Sequence, residues 1–260
     1  MDVSSYTILA LKLTLVPVLI LAATFIGIRW GPAASGWLIS LPLTSGPVLF
    51  FLTVDLGDAF ASTAAEGVIL GLASITTFAL AYVWFALRYQ GARWFYSLLF
   101  GWGAFFFVTL LLDGISVPDP AAFVGVVFFW VVTIRVLPNP PAVSPSTRRV
   151  GGWEIAIRMV AAAALVLFIT EASTALGPYL SGLLTPFPVY VSVLAASTHR
   201  IHGPTAAVQL VRGTTLGLFT PAVFCLIVGT TIAGLGTGIS FGLAIIVSLP
   251  IHGLIYRFLE

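Results

Sequence analysis

The chain has 260 residues, 59% of them hydrophobic and 8% charged, with a formal net charge of +2 and a mean hydropathy of +1.10. Soluble domains carry about 25% charged residues, so these values exclude a soluble globular fold and describe an all-α integral membrane protein. Lys and Arg are too few and too scattered for a nucleic-acid surface, and the one cysteine, Cys225, permits no internal disulfide.

A membrane-crossing helix needs about 20 mostly apolar residues, and nine runs meet that length: approximately 6–29, 32–53, 61–87, 94–112, 119–137, 153–175, 178–198, 206–231 and 237–258. Helix-breaking residues separate them: Gly-Pro at Gly31 and Gly177, Gly57, Gln90-Gly91, the turn from Asp113 to Pro120, the proline-rich stretch from Pro138 to Ser146, Gly203-Pro204, and Gly234 to Gly238. The N-terminus MDVSSYT lacks a basic region and the first run is too long for a signal peptide, so the first span is expected in the mature protein.

Loop charges set the orientation. Basic residues follow spans 1, 3, 5, 7 and 9 (Arg29; Arg88 and Arg93; Arg135, Arg148 and Arg149; Arg200; Arg257), and none follows the even spans. With the basic loops in the cytoplasm, the N-terminus lies outside and the C-terminus inside.

The stretch from Gly31 to Pro42, GPAASGWLISLP, returns as GPYLSGLLTPFP from Gly177 to Pro188, an offset of 177 − 31 = 146 residues. At that offset, without a gap, 17 of the 69 positions from Lys12 to Leu80 are identical, which marks an internal duplication. The expected organisation is repeat 1 over 1–114 (spans 1 to 4), a linker span and cytoplasmic loop over 115–151, and repeat 2 over 152–260 (spans 6 to 9). Four spans plus one is odd, so the second repeat enters the membrane from the opposite side, giving two inverted four-helix repeats. Re-entrant spans 2 and 7 would put Asp55 on the side of Arg29, against the charge alternation.

Inverted repeats with interrupted helices at matching positions point to a secondary transporter with its site at the midplane. Pro42 and Pro188 each fall about ten residues, roughly 15 Å, into their spans, where each removes a backbone hydrogen bond. Polar backbone at that depth is tolerated where it is buried in protein or lines a cavity. Ser35, Pro42 and Thr44 in span 2, with Ser181, Pro188 and Tyr190 in span 7, are the candidate solute-binding residues. Charges within the bilayer are costly and point to function. Lys12 is expected to be balanced by Glu66 at the same outer depth, whereas their mates Arg158 and Arg212 are both cations, suited to an anionic solute. Glu66 and Glu171 are the candidates to couple transport to a proton or a sodium ion.

His199 and His202 lack a third partner, so no metal site is expected, and no motif for a cofactor or for enzymatic catalysis is present. The expected partners are the bilayer, a small solute and a coupling ion. The alternatives are a non-transporting accessory protein in envelope lipid or polysaccharide assembly, or a small channel.

The run SGLLTPFPVYVSVLAAS from Ser181, followed by GPTAAVQLVRGTTLGLF from Gly203, resembles the GlpM-like family of small four-helix membrane proteins. Gly182-Leu183, Phe187-Pro188, Gly203 and Arg212 carry the resemblance; in repeat 1, Glu66 stands for the arginine and Leu41 for the phenylalanine. It implies a bacterial inner (plasma) membrane location and a short ancestral unit, duplicated and fused through the fifth span.

Overall fold

The computed structural model describes residues 10–15, 17–18, 21, 31–89, 94–115, 117, 119–140 and 152–258. Its regular elements are all helical: α1 (Gly31–Ile39), α2 (Ser45–Leu56), α3 (Asp58–Arg88), α4 (Trp94–Leu112), α5 (Asp119–Val136), α6 (Gly152–Leu184), α7 (Val189–Gly217), α8 (Phe219–Ile255) and a closing 3-10 turn, Tyr256–Phe258. Residues 10–15, carrying Lys12, are also helical.

Among the described residues, four stretches are long and apolar enough to cross a membrane: Asp58–Arg88, Trp94–Leu112, Ile155–Leu184 and Val189–Ile255. Ser45–Leu56 and Pro120–Val136 are shorter apolar helices. Large apolar side chains face outward along them, including Phe107, Leu110, Phe128 and Ile246, as lipid contact requires and water would penalise. The protein is a membrane protein.

The count of nine separate spans is not reproduced. Gly177 (φ 77, ψ 167), Gly203 (φ 83, ψ 176) and Gly236 (φ 74, ψ 170) each bend the chain inside α6, α7 and α8 without adding a loop. This backbone region is essentially restricted to glycine. Pro178 and Pro204 follow two of these bends, at the start of a new helical segment where the missing N–H has no helical partner to lose. Gly57 (φ 88, ψ 171), the mate of Gly203, joins α2 to α3 in the same conformation. Predicted span 2 is two short helices, and predicted span 7 is interrupted between α6 and α7. Most of predicted span 1 lies outside the described residues.

The two interruptions are built alike. Leu41 N–H donates to Leu38 (3.3 Å), Leu43 to Leu41 (2.6 Å) and Gly46 to Pro42 (3.0 Å). At the mates, Phe187 donates to Leu184 (3.0 Å), Val189 to Phe187 (2.7 Å) and Ser192 to Pro188 (3.0 Å). The middle bond of each set closes a three-residue turn centred on the proline. Pro188 has φ −76 and ψ 54, the inverse γ-turn conformation that proline's locked φ favours. Each proline therefore ends one helical segment and starts the next.

Glycines bring the halves together. A Cβ at Gly36 would lie 1.9 Å from the Leu210 carbonyl, and one at Gly213 would lie 2.0 Å from that of Ala33. Their mates repeat the contact: a Cβ at Gly182 would lie 2.0 Å from the Ala64 carbonyl and one at Gly67 would lie 2.2 Å from that of Tyr179. Thus α1 crosses α7, while the last turns of α6 cross α3, backbone against backbone. Small residues permit such crossings between membrane helices. Ser62 Oγ also donates to the Gly229 carbonyl at 2.8 Å, so the start of α3 lies beside the far end of the segment formed by α7 and the first part of α8. The core runs between them, with Phe51, Phe78, Val208 and Val228 buried.

Candidate functional site

A cavity of about 50 Å³ lies between the two interruptions. Its lining contains seven pairs of repeat mates, among them Ser40 with Pro186, Thr44 with Tyr190, Ser45 with Val191 and Leu72 with Leu218. Both interruptions and both long central helices contribute, so the cavity belongs to neither half alone. Among the described residues, no Asp, Glu, Lys, Arg or His lines it.

Its polar groups divide into two kinds. Ser40 Oγ donates to the Trp37 carbonyl (2.5 Å), and Thr214 Oγ1 donates to that of Leu210 (3.1 Å), so both hydroxyl protons are engaged. Tyr190 is 7% exposed, and its Oη is buried away from the open space, with no hydrogen-bond partner among the described residues. Thr44 precedes α2 as its N-cap residue, yet its side chain makes no capping bond. A buried polar group without a partner is costly, and native structures satisfy nearly all of them.

Of the predicted binding residues, Thr44, Pro188 and Tyr190 line this cavity. Pro42 is beside it, its carbonyl accepting from Gly46. Ser35 lies outside the lining on α1, and Ser181 Oγ is used on the Gly177 carbonyl at 2.7 Å. Thr214, the mate of Val68, also lines the cavity and is not among the predicted residues, because it stands in a run with Gln209, Arg212 and Thr215 where nothing in the sequence singles it out.

Lys12 and Arg212 lie apart from the cavity. Lys12 is bonded to Asp55 (2.8 Å) and Glu171 (3.5 Å), where Glu66 was the expected partner. Asp55 at the end of α2 is brought back against residues 10–15, which a spacing of 43 residues in an apolar chain does not disclose. Arg212 donates to the carbonyls of Ile134 (3.3 Å) and Leu137 (3.0 Å), closing the C-terminal end of α5, where a cation satisfies terminal carbonyls and the helix dipole. The Arg158 side chain lies outside the described residues. Glu66 is half-buried on α3, within electrostatic reach of Tyr179. Glu171 keeps a side chain 71% exposed. His199 Nδ1 is 3.1 Å from Tyr82 Oη, and among the described residues no three metal-ligating side chains converge.

The Arg212 contacts define a structural role that can be measured. Hydrogen bonds to charged groups contribute about 1.5–3 kcal/mol, so Arg212→Met is expected to lose about that much in thermal unfolding in detergent. Arg212→Lys keeps the charge without the fork and is expected to recover part of it. An Arg212→Met protein that melts like the wild type would instead return this side chain to solute recognition.

No family model matches the chain, and no curated protein and no solved structure is significantly similar to it.

Proposed function

We propose that the protein is a secondary transporter working by alternating access, with a small solute held between the two proline interruptions. The observation that carries this reading is the cavity lined by repeat mates, because a site shared by two matched halves can be opened to either side by moving one half against the other. In this reading the chain crosses the membrane nine times as two inverted repeats, with the N-terminus outside and the C-terminus in the cytoplasm. The Ser62 to Gly229 bond supports the inversion: it sets the two matching long helices antiparallel, whereas parallel repeats would run them the same way. The alternating loop charges are independent support. Descent from a duplicated GlpM-like unit is part of the same proposal, as is ion coupling by Glu66 or Glu171.

One observation favours a second reading, a static accessory protein in envelope assembly. The cavity of about 50 Å³ is far below the roughly 300–1,000 Å³ of ordinary ligand pockets, so either the solute is very small or nothing is carried. Ser45→Cys in a Cys225→Ser background separates the two readings. Ser45 lines the cavity, and Cys225 is the chain's one native thiol. In oriented vesicles, a carrier is expected to expose Cys at position 45 to membrane-impermeant thiol reagents from both sides in turn. A static protein leaves it unreactive from both.

A further inference from the structure

We propose that a second, larger groove, between α3, α4 and the end of α5, holds one anionic phospholipid, with an acyl chain along its apolar wall and the phosphate on Arg88. This groove shares no lining residue with the small cavity, and the proposal stands whether or not the protein transports a solute.

The groove has a volume of about 780 Å³, inside the roughly 300–1,000 Å³ of ligand pockets. It exists because α5 stops beside a helix that continues. Leu72, Thr76, Val126 and Trp130 meet around one small void, and Val83 and Leu137 both line the groove. The three pairs share one spacing (126 − 72 = 130 − 76 = 137 − 83 = 54), so α3 and α5 run side by side in the same direction. α5 ends at Val136, whereas α3 runs on to Arg88. The end of α5 is also fixed in place. Arg212 holds the carbonyls of Ile134 and Leu137, and Gln209 Nε2 donates to that of Pro140 at 3.5 Å. The concavity is therefore built into the fold.

Leu80, Trp84, Leu87 and Phe100 make the wall apolar. Among the described residues its one hydroxyl, that of Thr77, donates to the Ala73 carbonyl at 2.9 Å. A polar solute finds no hydrogen-bond partner along this wall, whereas hydrocarbon needs none.

Charge decides which amphiphile fits. Arg88 lines the groove from the last turn of α3, its guanidinium 5.5 Å from the centre of the Tyr89 ring. Among the described residues no carboxylate pairs with it. Arg135, exposed in the last turn of α5, precedes the lining residue Val136. α3 beyond Glu66 and α5 beyond Asp119 contain no acid, so these two helices offer the cations no carboxylate at this end. Trp84 and Tyr89 are exposed at the same end, as aromatic side chains are at the level of lipid headgroups. Basic pockets between membrane helices recruit anionic headgroups, and the planar fork of arginine matches a phosphate. A zwitterionic phospholipid brings its own ammonium to compete for that phosphate; an anionic one leaves it to the protein.

Native mass spectrometry of the purified full chain, given equimolar phosphatidylglycerol and phosphatidylcholine of matched acyl chains, tests the site. The wild type is expected to retain one phosphatidylglycerol, preferred about fivefold, the effect of one basic side chain at a membrane surface. Arg88→Gln is expected to bring the ratio close to one. Arg88→Lys, which keeps the charge, is expected to stay within about twofold of wild type. Ala81→Phe fills the groove and leaves Arg88 in place; it is expected to lower retention of both lipids at least fivefold. Arg257→Gln removes an exposed cation outside the groove and is expected to leave the ratio unchanged. Equal retention of the two lipids by the wild type, or an unchanged ratio in Arg88→Gln, would overturn the proposal and leave Arg88 as a charge at a helix end. Undiminished retention by Ala81→Phe would overturn it too, by placing the lipid elsewhere on the surface.

Discussion

Gly213→Ala and Gly67→Ala are each expected to lower stability by about 3 kcal/mol or more. The added Cβ would lie 2.0 Å from the Ala33 carbonyl oxygen in the first case and 2.2 Å from that of Tyr179 in the second. Both obstacles are backbone on another helix, so no rotamer change relieves them. The helices must separate, and the contacts around the crossing are lost with them. Overpacking a core costs about 1–3 kcal/mol when side chains can adjust; here they cannot, which places these variants at or above the top of that range. Gly125 on α5 and Gly103 on α4 have nothing within 4 Å of an added Cβ. Alanine there is expected to be neutral or to stabilise by up to about 1 kcal/mol through helix propensity. Thermal unfolding and size-exclusion profiles of the four variants in detergent check both halves of the prediction. Equal loss at all four positions would mean that glycine acts at 67 and 213 through backbone entropy rather than through the crossing.

Those glycines show what was legible in the chain. The offset of 146 residues aligns Gly36 with Gly182 and Gly67 with Gly213, so the repeat already contained the crossing, although nothing in the spacing said that each half's short segment packs on the other half's long helix. The proline interruptions were legible for a local reason: proline removes an N–H wherever it falls, and its mate falls at the same place. Helix boundaries were less legible. Glycine followed by proline reads as a loop, yet Gly177 and Gly203 turn the chain within one residue because glycine alone adopts their conformation. The charges were least legible. Depth in the bilayer paired Lys12 with Glu66, but depth carries no azimuth, and the face of the first helix that holds Lys12 turns to α2 and α6. Arg212 resembled a solute ligand for the same reason, since a carbonyl cluster at a helix end has no signature in residue type.

Lys12→Met is expected to cost about 3 kcal/mol, most of it through Asp55 rather than Glu171. The Lys12 side chain is 6% exposed, Asp55 28% and Glu171 71%, at distances of 2.8 and 3.5 Å. Breaking a buried pair costs about 3–5 kcal/mol because the remaining charge is stranded, whereas exposed pairs contribute about 0–1 kcal/mol. The Asp55 arm lies nearer the first limit and the Glu171 arm at the second. Asp55→Asn is therefore expected to cost about 2 kcal/mol and Glu171→Gln less than about 1. Met keeps the apolar stem that Lys12 buries, so the loss reports the charge and not a cavity. A double-mutant cycle isolates the pair: Lys12→Met with Asp55→Asn should show a coupling of about 1–2 kcal/mol, and Lys12→Met with Glu171→Gln a coupling near zero. The reverse order of couplings would place the buried end of the ion pair on α6, so that the lysine held the two halves together instead of closing the end of α2. Near-zero coupling on both arms would leave the Phe51 ring, 5.8 Å from the ammonium, as the main support for a buried cation, at about 0.5–2 kcal/mol. That is too little to hold a lysine 4% exposed in a membrane protein, so one of the two carboxylates must carry the difference.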